Sequence, residues 1–196
     1  MADDGELLVR GPLVMRGYRN DPVRTAEVLD SDGWLHTGDI GAIGADGYVR
    51  IVDRKKELII NAAGKNMSPS NIEGAVRVSC PLVGTVVAIG DNRKYVTALL
   101  TLDPDACAAV RPDGADSALP SADTARLTAD PGLRAAVDAG IAAANARLAR
   151  VEQIKRYTIL PTVWEPGGDE LTPKMSLKRK AISEKYAAEI DAMYRD

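Results

Sequence analysis

Two short segments carry residue types and spacing that could do chemistry. The first is Trp34-Leu-His-Thr-Gly-Asp39, and the second, fifteen residues further on, is Asp53-Arg54-Lys-Lys56-Glu. A carboxylate beside a glycine can accept hydrogen bonds from two adjacent hydroxyls, the arrangement that grips a sugar diol. The glycine removes a side chain and lets the backbone close on the sugar. The competing reading of a solitary Thr-Gly-Asp is a turn aspartate bonded to its own backbone. Arg54 carries a rigid fork of donors suited to ribose oxygens or to a phosphate. Its competing reading is membership of a solvated charge run with Lys55, Lys56 and Glu57. Two further segments hold small or basic residues in loops: Asn61-Ala-Ala-Gly64-Lys and Leu171-Thr-Pro-Lys174-Met-Ser-Leu-Lys178-Arg-Lys180.

The elements that must position these groups fall into two pieces. Residues 5–53 read as short strands broken by glycine: Glu6–Arg10, Trp34–Thr37, Ile40–Ile43 and Tyr48–Asp53, with Gly38-Asp39 as a turn. One helix is predicted from Asp21, with Pro22 in its first turn, to about Leu29. Such strands bury little surface alone and suit the closing strands of a barrel whose remainder is absent. From Lys56 the pattern becomes β, α, β, β, α, β, α. Ser68 caps a helix and Glu73 stands as a carboxylate of its first turn. Strands are predicted over Gly84–Gly90, Tyr95–Asp103 and Ile154–Leu160. Residues 111–130 read as a loose connection, followed by a helix over Leu133–Arg150 and a closing helix over Leu177–Met193. The fold class this predicts is α+β.

Composition narrows the functions. A net charge of −3 over 196 residues gives no electrostatic case for nucleic acid. No apolar run of membrane-spanning length and no signal-peptide pattern is present, so a cytoplasmic location is expected, with room for peripheral membrane contact. A single histidine excludes a multi-histidine metal site, and Cys80 and Cys107 are isolated, so no metal ligands are assigned.

In order and spacing, Gly17-Tyr-x-x-x-Pro22, Gly33-Trp-Leu-His-Thr-Gly-Asp39, Asp53-Arg-Lys-Lys-Glu-Leu-Ile59 and the Thr-Pro-Lys174 segment resemble the adenylate-forming (ANL) superfamily. With Val151-Glu-Gln-Ile-Lys-Arg-Tyr-Thr-Ile-Leu-Pro161, they are most similar to bacterial long-chain fatty-acid–CoA ligases. The resemblance implies the C-terminal portion of such an enzyme, inactive alone. Residues 1–53 would be the tail of the large N-terminal adenylation domain, 54–56 the hinge, and 57–196 the small mobile domain. It implies ATP, Mg²⁺ (with ligands upstream) and CoA as reactants and cofactors, a fatty acid as substrate, and the missing N-terminal domain as partner. Asp39 would bind ribose, Arg54 the nucleotide, and Lys56 would be the hinge residue. Gly64 would belong to the loop that forms the pantetheine channel. Aligned on Thr-x-Lys, the catalytic lysine is Lys174; aligned on the long-chain pattern, the same position holds Ser176. Lys178, Arg179 and Lys180 are expected on the solvated face of the last helix or as a basic rim for CoA phosphates. Two alternatives stand: a fatty acyl-AMP ligase that loads a carrier protein, and a non-catalytic interaction module that kept the fold. No carrier-domain attachment motif follows, which counts against a peptide synthetase.

Overall fold

The computed structural model describes residues 1–110 and 124–195, and its contacts divide the chain into two units, Met1–Leu58 and Ile59–Asp196. In the first unit, strands β1 (Glu6–Val9), β2 (Leu35–Ile43) and β3 (Val49–Arg54) form an antiparallel sheet in the order β1-β2-β3. Helix α1 (Pro22–Val28) starts where the Asp21 side chain accepts the Arg24 N–H. The buried side chains of this unit are polar, Glu6 and Asp53, while Ile43, Tyr48, Val49 and Ile51 are exposed.

Residues 35–43 form one strand rather than two strands about a Gly38-Asp39 turn. Glu6 pairs with Ile40 and Leu8 with His36, so Leu7 alone stands opposite Thr37, Gly38 and Asp39. The extra residues are absorbed in a bulge, and Gly38 takes the left-handed conformation (φ +72°) that a side chain would strain.

The second unit is the α+β body. A short hairpin, β4 (Ile59–Ile60) with β5 (Asn66–Met67), leads into α2 (Pro69–Ser79). Ser68 caps that helix by accepting the Asn71 N–H. Strands β6 (Val83–Ile89) and β7 (Val96–Leu102) pair antiparallel, and β8 (Ile154–Leu160) joins β7 in parallel. A parallel neighbour needs a crossover. It is supplied by α3 (Pro104–Ala109), α4 (Thr124–Ala129) and α5 (Pro131–Asn145). One face of the sheet packs Val86 and Leu100 with Ile72, Val76, Val137 and Ile141. The other packs Val87, Leu99 and Leu160 with Trp164, Ile182, Tyr186 and Ile190. Both cysteines are buried and free. Among the described residues no helix is long and apolar enough to cross a membrane.

Several expectations need correction. Part of the predicted loose connection, residues 111–123, lies outside the described residues, and the rest is ordered: Thr124–Ala129 is helical. Helix α3 was not anticipated; Asp103 caps it through the Asp105 and Ala106 N–H groups. Helix α5 ends at Asn145 rather than Arg150, because the Asn145 amide turns aside to bond both the N–H and the carbonyl of Ile154. The closing helix is two, α6 (Arg179–Lys185) and α7 (Ala187–Ala192), divided at Tyr186. Glu73 lies beyond the first turn of α2 and is buried.

Candidate functional site

The bulge in β2 builds the first cluster. Asp39 stands opposite Arg54 in the β2–β3 ladder, and Arg54 Nη1 lies 3.1 Å from Asp39 Oδ1. Arg54 also donates to the Thr37 carbonyl at 3.4 Å. Thr37 Oγ1 donates to the Leu7 carbonyl and accepts the Asp39 N–H. The Asp39 side chain remains 24% exposed, so its carboxylate can still accept from an incoming hydroxyl.

Motif reasoning missed Glu6. A bulge takes the Gly38 N–H out of the ladder, and the buried Glu6 carboxylate accepts it at 2.8 Å. Glu6 also meets His36 Nδ1 at 3.2 Å and the Lys55 ammonium at 2.9 Å, and Lys55 reaches Asp4 at 2.6 Å. Burial alone would raise the Glu6 carboxyl; Lys55, the Gly38 N–H and His36 outweigh it and hold the acid below its ordinary range. Lys55 is raised by Asp4 and Glu6 in turn. The signal available in the sequence was a lone carboxylate at the start of an otherwise apolar strand.

A cleft of about 680 Å³ opens over this cluster, lined by Glu6, His36, Gly38, Arg54, Lys55 and Lys56 among others. Lys56 lies in a 3₁₀ turn, Lys55–Glu57, directly after Arg54 and just before the division at Leu58. The first unit therefore brings Asp39, Arg54 and Lys56 close along one ladder end.

Gly64 and Lys174 lie on separate loops of the second unit. Asn61 organises the first: its Oδ1 accepts the Ala63 and Lys65 N–H groups, and its carbonyl accepts the Gly64 N–H. Gly64 has φ +75°, so the turn demands glycine, although a Cβ there would meet open space. Lys174 is exposed at the tip of a tight hairpin in which Thr172 bonds Ser176 and Met175 takes φ +62°.

The hairpin is anchored from both ends. Leu171 bridges Leu177, and the Glu170 carbonyl accepts the Lys178 N–H. The buried Glu170 side chain accepts from the Tyr186 hydroxyl and from Lys185, each at 2.8 Å. Burial pushes its carboxyl up, and Lys185 with Tyr186 more than reverses this. Lys178 and Arg179 do not form the expected solvated face. Lys178 Nζ bonds the Gly168 carbonyl at 2.8 Å. Arg179 makes a two-pronged pair with buried Glu73, at 2.7 and 3.0 Å, and Glu73 also accepts the Ala88 N–H. Lys180 alone of the three is fully solvated, with its side chain 91% exposed. Among the described residues no group of three or more His, Cys, Asp or Glu could hold a metal ion.

The fold is that of one part of known adenylation domains. The structure matches the adenylation domain of a carboxylate reductase from Mycobacterium chelonae with a TM-score of 0.77, at 24% identity, over 98% of this chain and 28% of that one. It also matches the corresponding domain from Segniliparus rugosus, solved with AMP and a carboxylic acid, with a TM-score of 0.76 at 23% identity over 97% of this chain and 28% of that one. Residues 56–196 match the AMP-binding enzyme C-terminal domain, and the chain belongs to that family. Among curated relatives, fadD11 of Mycobacterium tuberculosis, by name a fatty-acid–CoA ligase, is 60% identical over 99% of this chain and 33% of its own length. FadD15 of the same species, a long-chain-fatty-acid–CoA ligase, is 41% identical over 99% of this chain and 32% of its own length. The chain thus spans about one third of the length of the curated relatives it matches.

Proposed function

We propose that this chain is the C-terminal part of an ATP-dependent long-chain fatty-acid–CoA ligase, with residues 1–53 closing the large domain, 54–56 the hinge and 57–196 the mobile domain. The observation that carries the reading is the Asp39–Arg54 pair, seated in a glycine bulge that Glu6 braces beside a cleft. Arg54 orients the Asp39 carboxylate, which stays partly exposed to accept from a sugar hydroxyl. Names of the curated relatives support the fatty-acid substrate and CoA as acceptor.

Each residue then has a task. Asp39 accepts the ribose hydroxyls of ATP, and Arg54 orients the same sugar or its phosphates. Lys174, exposed and carried by a flexible stem, neutralises charge that develops as the fatty-acid carboxylate attacks the α-phosphate and pyrophosphate leaves. Lys56 absorbs the backbone change by which one small domain serves two half-reactions. The Asn61–Lys65 loop then lines the path of the CoA thiol, which attacks the acyl carbonyl and releases AMP. Mg²⁺, when bound to ATP, supplies charge neutralisation at the phosphates, and its protein ligands belong to the rest of the enzyme. A cytoplasmic location fits this chemistry.

The test is palmitate-dependent ATP–pyrophosphate exchange and palmitoyl-CoA formation by the full-length enzyme, with the 196-residue chain as control. The reading requires both activities in the full enzyme and neither in the chain alone. Exchange without thioester formation on CoA would replace CoA by a carrier protein, and no exchange with any fatty acid would overturn the reading.

A further inference from the structure

We infer that Arg93 and Tyr194 are positioning residues for the Gly64 loop, clamping it to the C-terminal segment so that the thioester-forming half-reaction, and not adenylation, depends on them. The inference rests on the proposed role of that loop in admitting the CoA thiol.

The loop has little holding it locally. Strands β4 and β5 are two residues each, and residues 62–66 are exposed. A hairpin this small is marginal by itself, because few contacts offset the entropy of ordering it. Its outer edge is instead tied to the turn between β6 and β7. The Ile60 N–H donates to Asp91 Oδ1 at 3.1 Å, the Asn92 N–H to the Ile60 carbonyl at 2.8 Å, and the Ala62 N–H to the Arg93 carbonyl at 3.0 Å.

That turn is held in its turn by the last residues described. The Arg93 guanidinium bonds Asp191 at 2.7 Å and lies 4.7 Å over the ring of Tyr194. The Tyr194 hydroxyl shares its one proton between backbone carbonyls on both sides of the turn, Ile89 at 3.2 Å and Tyr95 at 3.0 Å, and accepts from Thr97 Oγ1. The Tyr95 ring packs 5.0 Å from that of Tyr194, and its hydroxyl donates to the Met193 carbonyl. A chain of direct contacts therefore runs from residues 191–194 through the 90–95 turn to the Gly64 loop. Lys174 stands outside these hydrogen bonds: its hairpin hangs by polar contacts on Glu170, Lys178 and Tyr186, and shares with Tyr194 only the apolar cluster beneath them, through Leu171 and Leu177. Small displacements of a loop beside a reacting centre are costly in rate, up to about a hundredfold. Because its polar contacts reach the Gly64 loop and not the Lys174 hairpin, the clamp is expected to bear on the second half-reaction.

The experiment separates the half-reactions in the full-length enzyme. Palmitate-dependent pyrophosphate exchange reads the first, and single-turnover palmitoyl transfer from preformed adenylate over a range of CoA concentrations reads the second. Variants are Arg93→Ala, Arg93→Lys, Tyr194→Phe and Gly64→Val. Arg93→Ala and Tyr194→Phe are expected to keep exchange within about twofold while slowing transfer by about tenfold or raising its CoA requirement as much. Arg93→Lys, which keeps the charge facing Asp191, is expected to recover part of the loss. Gly64→Val is expected to slow transfer most. If Gly64→Val slows transfer and neither Arg93→Ala nor Tyr194→Phe does, the clamp is wrong and the loop reading stands. Should Gly64→Val leave transfer untouched, the loop reading fails and the clamp with it. Parallel loss of both half-reactions in Arg93→Ala would reduce the clamp to fold stability and overturn the inference.

Discussion

The Gly38 N–H points into the buried carboxylate of Glu6 at 2.8 Å, across the one place where β2 carries three residues against one of β1. Asp39 is the next residue, so the position of the carboxylate proposed to accept ribose is set by a glycine whose backbone donor is satisfied from another strand. Removing that acceptor leaves the Gly38 donor unpaired and takes away a partner of Lys55, a loss larger than a surface bond. Glu6→Ala is expected to raise the KM for ATP of the full-length enzyme by about tenfold with a smaller change in kcat. Glu6→Gln, which can still accept from Gly38, is expected to recover part of this. Equal losses in kcat and kcat/KM with no rescue by glutamine would count against a positioning role.

The Asp39–Arg54 pair itself should matter little to folding. The Arg54 side chain is 62% exposed, and exposed pairs contribute about 0–1 kcal/mol. Arg54→Ala and Asp39→Ala are therefore expected to leave the urea midpoint of the 196-residue chain almost unchanged. In the full-length enzyme both should raise the KM for ATP. A large loss of stability would recast the pair as structural.

How much of this was legible in the residues themselves differs by element. The Asp21 and Ser68 caps, the β8 span and the α+β order were readable because each rests on local chemistry: a capping side chain, an alternation, a proline. The bulge at Gly38 was not readable, because it depends on register against a strand thirty residues away. Glu6 and Glu73 were obscured for the same reason. Each looks like an ordinary carboxylate until the fold brings Gly38 and Lys55 to one, and Arg179 and Ala88 to the other. Among the site residues, Asp39 and Arg54 emerge as ladder partners; the spacing alone placed them fifteen residues apart and no nearer.

Glu73 and Arg179 join α2 to α6 inside the second unit, with the Glu73 side chain 3% exposed. Deleting the buried carboxylate removes both Arg179 bonds and the acceptor of the Ala88 N–H, at a cost of about 3 kcal/mol. Glu73→Ala is expected to destabilise the second unit by about this amount. Urea unfolding followed by Trp164 fluorescence in a Trp34→Phe background checks it, since these are the chain's two tryptophans. A shift below about 0.5 kcal/mol, the level of ordinary surface changes, would contradict the brace.

The Glu170 cluster makes stability fall at both ends of the pH scale. Burial would raise Glu170, but Lys185 and Tyr186 hold its folded pKa below the ordinary 4.5. Its contribution is therefore complete above pH 4.5 and is lost as pH falls through the folded value. Burial first, and then Glu170, raise Tyr186 above its ordinary 10.0, and Glu170 with Asp169 raises Lys185 above 10.5. Folded groups with raised values stabilise fully below the unfolded pKa, so this part is lost as pH rises beyond about 10. Glu170→Gln should flatten the acid limb between pH 5 and 3 in thermal unfolding while stability near neutrality drops. An unchanged acid limb in the variant would remove Glu170 from the account.

Lys174 and Ser176 stand two residues apart on one exposed hairpin, and the choice between them decides how the first half-reaction is served. The Thr172 N–H bonds the Ser176 carbonyl at 2.9 Å, and the Ser176 N–H bonds Thr172 Oγ1 at 3.1 Å, so Ser176 is fixed at the hairpin's closing pair. Lys174 sits at the tip with no ion pair among the described residues, whereas Lys178 is tied to the Gly168 carbonyl and Arg179 to Glu73. Two extended residues span at most about 7 Å, and the turn brings the two positions closer, a gap that a four-carbon ammonium stem covers. Lys174→Ala is therefore expected to lower palmitate-dependent pyrophosphate exchange by about 10²–10³, the scale of losing one positioned charge-stabilising group. Adding Ser176→Lys to that variant returns an ammonium to the neighbouring position and should restore a measurable part of the exchange. If Lys174→Ala exchanges at the wild-type rate while Ser176→Lys alone raises it, the natural chain lacks the stabilising cation in this loop and Lys174 has no part in adenylation.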